Sequence, residues 1–268
     1  MSGETSAADA KRTPTEPRRA GTILLLRDVP EYQVLMVRRH HQIDFASGAL
    51  VFPGGKMHPG DDDPRWRDHV TGWDDVDATQ RPLRIGAIRE AFEEAGILHA
   101  AYPDGGVFSD VCDIEERRRV DAGDTAFIDV VARLGVKLSL DALTVFARWI
   151  TPEMMPKRFD TWFYVAHAPA EQVAACDGHE TVDAEWISPL SVLELADTGA
   201  RTVIFPTLMN VKLLAEATSA EDCLARAAER RLVPVLPQVS SRDGERVLTI
   251  PSDAGYGDVF QSFATLKG

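Results

Sequence analysis

Three glutamates, Glu90, Glu93 and Glu94, cluster in the stretch REAFEEAG, residues 89–96. On a helix these positions are one turn apart, so the three carboxylates share a face. Like charges at that spacing repel by about 0.2–0.5 kcal/mol per pair. Two outcomes could justify the cluster. One is a solvated acidic face, the commoner use of such charges. The other is a set of hard oxygen ligands for Mg²⁺ or Mn²⁺. Arg89, beside Glu90 and four residues before Glu93, relieves part of the repulsion. Upstream, VFPGG breaks a short apolar run at Pro53-Gly54-Gly55. Adjacent glycines mark either a turn with positive φ or a backbone that something approaches closely.

The surrounding pattern supplies elements to position these residues. AGTILLLRD reads as a buried strand with YQVLMVRR as its hairpin partner. A helix opens near Pro82 and is closed by Gly96, with Ile85, Ile88 and Phe92 as its core-facing stripe. Residues 61–81, aperiodic and rich in Asp, read as an inserted surface loop. LTVFARWI, RFDTWFYVAH and VDAEWIS read as strands. DIEERRRVDAGDTAFIDVVARLGV reads as one or two helices, and three more follow in SPLSVLELA, FPTLMNVKLLAEAT and AEDCLARAAERRL. Interleaved strands and helices indicate an α/β (α+β) layered domain. Residues 1–19 read as a disordered tail, 20–231 as the domain, and 232–268 as a C-terminal extension on it.

The 268 residues carry 29 Lys and Arg against 42 Asp and Glu, a net charge of −13. That balance argues against DNA or long RNA as the bulk partner. It leaves room for a small phosphorylated metabolite, since bound metal can reverse the sign of a site. Three irregularly spaced cysteines give neither a disulfide framework nor a zinc site. With no apolar run long enough to span a bilayer and no secretory leader, the expectation is a cytoplasmic protein without membrane contact.

REAFEEAGI, placed after a strand and a Gly-Gly turn, resembles the second half of the box of the Nudix hydrolases. That family's pattern runs Gly, five residues, Glu, seven residues, then Arg-Glu-apolar-x-Glu-Glu-x-Gly-apolar. Here Gly55 is followed by KMHPG and by Asp61 instead of Glu, and 27 residues rather than seven separate Asp61 from Arg89. The acid of the first half falls at Asp61, or its place at Arg81 if the insertion sits earlier. The split box, VFPGG and RFDTWF resemble the subgroup that includes peroxisomal coenzyme A diphosphatases. The leader such enzymes carry is matched by LMVRR and Gly48-ALV-FPGG, with Arg39 on its first arginine and Asp44 in place of its second.

The resemblance implies a Nudix fold, a mixed β-sheet sandwiched between helices, and hydrolysis of a diphosphate linked to another moiety. It assigns Glu90, Glu94, Glu93 and the Gly55 carbonyl to a Mg²⁺ or Mn²⁺ site, with Glu93 and Arg89 among the catalytic machinery. Glu180, six residues before Trp186, is the candidate base. Arg39 and Arg158 are the candidates for substrate phosphate, with Arg148 nearby. Coenzyme A or an acyl derivative is the leading substrate. Nucleotide sugars, dinucleotides and capped RNA are alternatives, as is a regulator that binds a nucleotide metabolite without turnover. Many family members dimerise, so a homodimer is a further expectation.

Overall fold

The computed structural model describes residues 15–40, 48–110, 112–176, 178 and 181–263. Strand β1 (Arg18–Arg27) begins two residues before the expected start of the domain, and there Arg18 donates its N–H to the Arg158 carbonyl. It turns back into β2 (Gln33–Arg39), followed by β3 (Leu50–Val51) and β4 (Gly54–Lys56). Next come a short strand β5 (Val70–Thr71), the helix α1 (Arg81–Ala95) and β6 (Ala100–Ala101). Helices α2 (Ile114–Asp121) and α3 (Phe127–Leu134) lead to β7 (Lys137–Ser139), β8 (Thr144–Ile150), β9 (Phe159–His167) and β10 (Thr181–Ile187). Helices α4 (Pro189–Asp197), α5 (Phe205–Leu214) and α6 (Ala220–Glu229) follow, then β11 (Gln238–Arg242), β12 (Glu245–Thr249) and β13 (Phe260–Ser262).

The main sheet runs β10-β2-β1-β9-β8, with β3 on β2 and β4 on β1. It is mixed: β1 and β9 are parallel in register from Arg18↔Phe159 to Leu26↔His167, and the neighbouring pairs are antiparallel. Alternation along β1 divides the interior. Ile23 and Leu25 pack with α1, and Leu24 and Leu26 pack with α5 and α6. The expected α/β sandwich is therefore the observed architecture. The extension forms a separate sheet, β11-β12-β13, tied to the core where Trp149 donates to the Tyr256 hydroxyl and Tyr256 donates to Asn210 Oδ1.

Two expectations need correction. Helix α1 does not show the sheet a single stripe; every residue from Ile85 to Ala95 is buried, because α2, α3 and the insertion close over its outer side. The insertion is not an irregular surface loop either. It folds as two 3₁₀ turns, Pro59–Asp62 and Pro64–Asp68, followed by β5. Its Trp66 is 1% exposed, donates to the Gly60 carbonyl and lies 5.6 Å from the Phe127 ring. Such short elements leave no repeating apolar period in sequence, so only the tertiary packing reveals them. Among the described residues, no helix is long and apolar enough to cross a membrane.

Candidate active site

Helix α1 crosses β1 closely. A Cβ at Gly21 would meet the Leu83 carbonyl at 2.4 Å, so glycine is what lets the helix lie on the strand. Farther along α1, Glu90 lies over the Gly54–Gly55 pair: a Cβ at Gly55 would come within 2.6 Å of its carboxylate. Glu94 reaches the same place and accepts the Gly54 N–H at 3.1 Å. The two glycines thus serve close approach rather than positive φ, the second of the two readings their pairing allowed. Gly55, Glu90 and Glu94 are brought together.

Arg89 organises the other side of the cluster. Its guanidinium donates to Asp61 through Nε at 2.9 Å and through Nη2 at 3.2 Å, to Glu93 at 2.7 Å, and to the Lys56 carbonyl. It also lies 3.0 Å from Glu90. Burial alone would lower its pKa, but Glu90, Asp61 and Glu93 together raise it, so the charge is firmly held. Asp61, 2% exposed, accepts the His58 N–H as well. The two places left open for the first-half acid are therefore resolved. Asp61 meets Arg89 directly, whereas Arg81 bonds the Val76 carbonyl and stacks over Trp73.

Four carboxylates, Asp61, Glu90, Glu93 and Glu94, are each less than a tenth exposed, and the first three pair with the Arg89 guanidinium. Burial pushes the Glu93 carboxyl up to about 8 against the pull of Arg89, with Glu90 adding to the rise. A buried acidic excess of this kind, built from hard oxygen donors, suits a divalent cation. Glu90, Glu94 and the Gly55 backbone meet at one turn and fit such an ion. In their present rotamers no three acidic, imidazole or thiol groups among the described residues converge to hold a metal, since Glu93 faces Arg89.

The remaining expected residues are dispersed. Arg39 ends β2 opposite Thr181 of β10. Arg158 donates Nε to the Thr151 carbonyl and Nη1 to the Thr15 carbonyl, tying the backbone after β8 to that before β1. Arg148 grips Asp160 with two bonds, at 2.8 and 2.7 Å, and stacks over Trp162. Glu180 and Asp44 lie outside the described residues. Asp183 pairs with Arg38 at 3.6 Å, and Glu185 keeps one buried carboxylate oxygen without a partner.

Two contributors escaped sequence reasoning. Gly86 makes room for Asp61, whose Oδ2 stands 2.8 Å from where a Cβ would be. A lone glycine inside a helical pattern was the available signal. Arg117, 2% exposed, donates to the Phe92, Glu93 and Ala175 carbonyls. Its setting, EERRRV, reads as a solvated charge run and offers no signal.

Comparison with known proteins identifies the family. The NUDT19 Nudix domain family model matches residues 74–212, just over half of the chain. The acyl-coenzyme A diphosphatase NUDT19 of Xenopus laevis is 25% identical over 207 residues, covering 61% of this chain and 54% of that protein. The match thus spans about half the length of that relative. The human protein of the same name is 26% identical over 274 residues, covering 84% of this chain and 72% of its own. A crystal structure of a NUDIX hydrolase from Alicyclobacillus acidocaldarius superposes with a TM-score of 0.69 at 26% identity, covering 79% of this chain and 96% of that one. The family match begins beyond Gly55 and Asp61; in the structure the Gly54–Gly55 turn and Asp61 meet α1 through the bonds of Glu94 and Arg89. On these grounds the chain belongs to the NUDT19 Nudix domain family and is a Nudix hydrolase.

Proposed function

We propose that the protein is a Mg²⁺- or Mn²⁺-dependent diphosphatase that hydrolyses coenzyme A or acyl-coenzyme A. The observation that carries this reading is the meeting of Glu90 and Glu94 with Gly55 at one turn, in a chain related to proteins named acyl-coenzyme A diphosphatases. Glu90, Glu94 and the Gly55 carbonyl would hold the cation. Bound there, it supplies charge neutralisation for the diphosphate and for the leaving oxygen.

The chain's own groups do the rest. Arg89, fixed by Asp61, orients Glu93 and Glu90. Glu93, held by Arg89 one residue from Glu94, is a candidate to take a proton from water near the diphosphate. Glu180 is the other candidate for that role, and Arg39 is the candidate for a phosphate contact.

The test is a panel of coenzyme A, acyl-coenzyme A, nucleotide sugars, dinucleotides and nucleoside triphosphates with Mn²⁺ or Mg²⁺, read by product mass. Cleavage of an acyl-coenzyme A should give the acyl-phosphopantetheine and adenosine 3′,5′-bisphosphate. Faster turnover of another class would reassign the substrate. No turnover in the whole panel would end the diphosphatase reading.

A further inference from the structure

Helix α1 ends inside the protein, and an α-helix leaves its last four carbonyls without intrahelical partners. In α1 the Phe92 carbonyl still accepts the Gly96 N–H at 3.1 Å, so this set begins at Glu93 and continues through Glu94 and Ala95, the turn that carries two of the three box glutamates. Each carbonyl is taken by a group from outside the helix. Arg117 Nε donates to Phe92 O at 2.9 Å and to Glu93 O at 3.2 Å, and its Nη2 donates to Glu93 O at 2.9 Å. Thr181 Oγ1 donates to Glu94 O at 2.9 Å. The Ala175 N–H donates to Ala95 O, also at 2.9 Å.

These partners form a bracket. Ala175 and Thr181 bound one short segment, and Arg117 reaches it too, donating Nη2 to the Ala175 carbonyl at 2.8 Å. One guanidinium thus bonds both the end of the glutamate helix and the start of the segment that leads into β10. The seat is shaped for it: Gly96 has φ +70°, and a Cβ there would stand 2.9 Å from Arg117 Nη1. The glycine that closes REAFEEAG is favoured twice, by its left-handed backbone and by the room it leaves for this side chain. A planar guanidinium serves three carbonyls at once and adds positive charge at the helix C-terminus, which a lysine's point charge matches only in part.

We infer that Arg117 is a positioning residue for hydrolysis, fixing the glutamate turn of α1 relative to Ala175 and Thr181. Glu93 is held at both ends, its carboxylate by Arg89 and its carbonyl by Arg117. Misplacement of reacting groups by about 1 Å can cost 10²-fold in rate. The inference rests on the diphosphatase reading for its kinetic arm only.

The experiment compares wild type, Arg117→Met and Arg117→Lys by hydrogen exchange and by kinetics on acyl-coenzyme A with Mn²⁺. The inference expects faster amide exchange in the peptide covering 172–184 of Arg117→Met, with peptides from β1 and β9 unchanged. It expects kcat about tenfold lower with KM within threefold, and partial recovery in Arg117→Lys. Unchanged exchange and kcat overturn it. So does a raised KM at constant kcat, which would make the residue one for binding. If Arg117→Met does not fold, Thr181→Val, which deletes one bond of the same bracket, must show the selective loosening and a lower kcat; no change in either overturns the inference. Wild type without turnover ends the diphosphatase reading, while exchange still decides the bracket.

Discussion

On the side of the main sheet that carries α1, the charged side chains buried among the described residues include Asp61, Arg89, Glu90, Glu93, Glu94 and Arg117. On the opposite side, the polar side chains that α5 buries are Thr207 and Asn210, both neutral. Both layers pack an apolar core against the sheet and differ in what they bury besides it. Burying a charge is costly unless it is paired and hydrogen-bonded. The α5 layer avoids that cost and packs for stability. The α1 layer accepts it, offsets it through Arg89 and Arg117, and keeps an acidic excess that chemistry can use.

Substitutions can break this contrast or sharpen it. The largest effect belongs to Glu94→Gln, expected to lower kcat about 10²–10³-fold through lost stabilisation of charge in the transition state. Activity within tenfold of wild type in a metal-supplemented assay would remove Glu94 from the site. Next, Asp61→Ala leaves Arg89 short of a buried partner and should destabilise the fold by about 3 kcal/mol in denaturant titration, with kcat also reduced. Stability equal to wild type would show that the pair does not organise the α1 side.

On the opposite side, Tyr256→Phe strands the Trp149 N–H and Asn210 Oδ1, and should cost about 1–2 kcal/mol with kcat unchanged. A fall in kcat without loss of stability would erase the contrast between the layers. The smallest effect is a pH slope from His99. Burial holds its pKa below the ordinary 6.5, and Nδ1 is buried without a partner. The unfolded chain takes up this proton near pH 6.5 while the folded one resists until lower pH, so stability should fall as pH drops through 6.5. In His99→Gln that part of the slope should vanish from thermal melts at pH 5.5 and 7.5.

Much of the α1 side was legible because its signals are local. The carboxylate spacing, the glycine at 96 and the Gly54-Gly55 pair all sit within one element or turn. Asp61 was half legible: its place beside Arg89 depends on a contact across 28 positions and on room left by Gly86. Arg117 was not legible. Its burial follows from α2 folding over the end of α1, and nothing in EERRRV separates it from Arg118 and Arg119, which stay exposed. Arg158 and Arg148 were misleading for the converse reason. Basic residues beside a strand look available until their carbonyl and Asp160 partners are seen.

The pairing of Asp61 with Arg89 also bears on the length of the chain between them. Closing a loop costs conformational entropy that grows only with the logarithm of its length. Lengthening the connection from seven residues to 27 adds about 1 kcal/mol by that relation. Separating a buried ion pair costs about 3 kcal/mol because each charge is left unpaired, a larger penalty than that addition, so the pair can hold the two halves in register. Registration of the two box halves therefore passes from the continuity of the backbone to a bond between side chains. Once that transfer is made, the connecting segment is free to vary in length and acquire a fold of its own, while Gly55 and Glu90 stay where they meet.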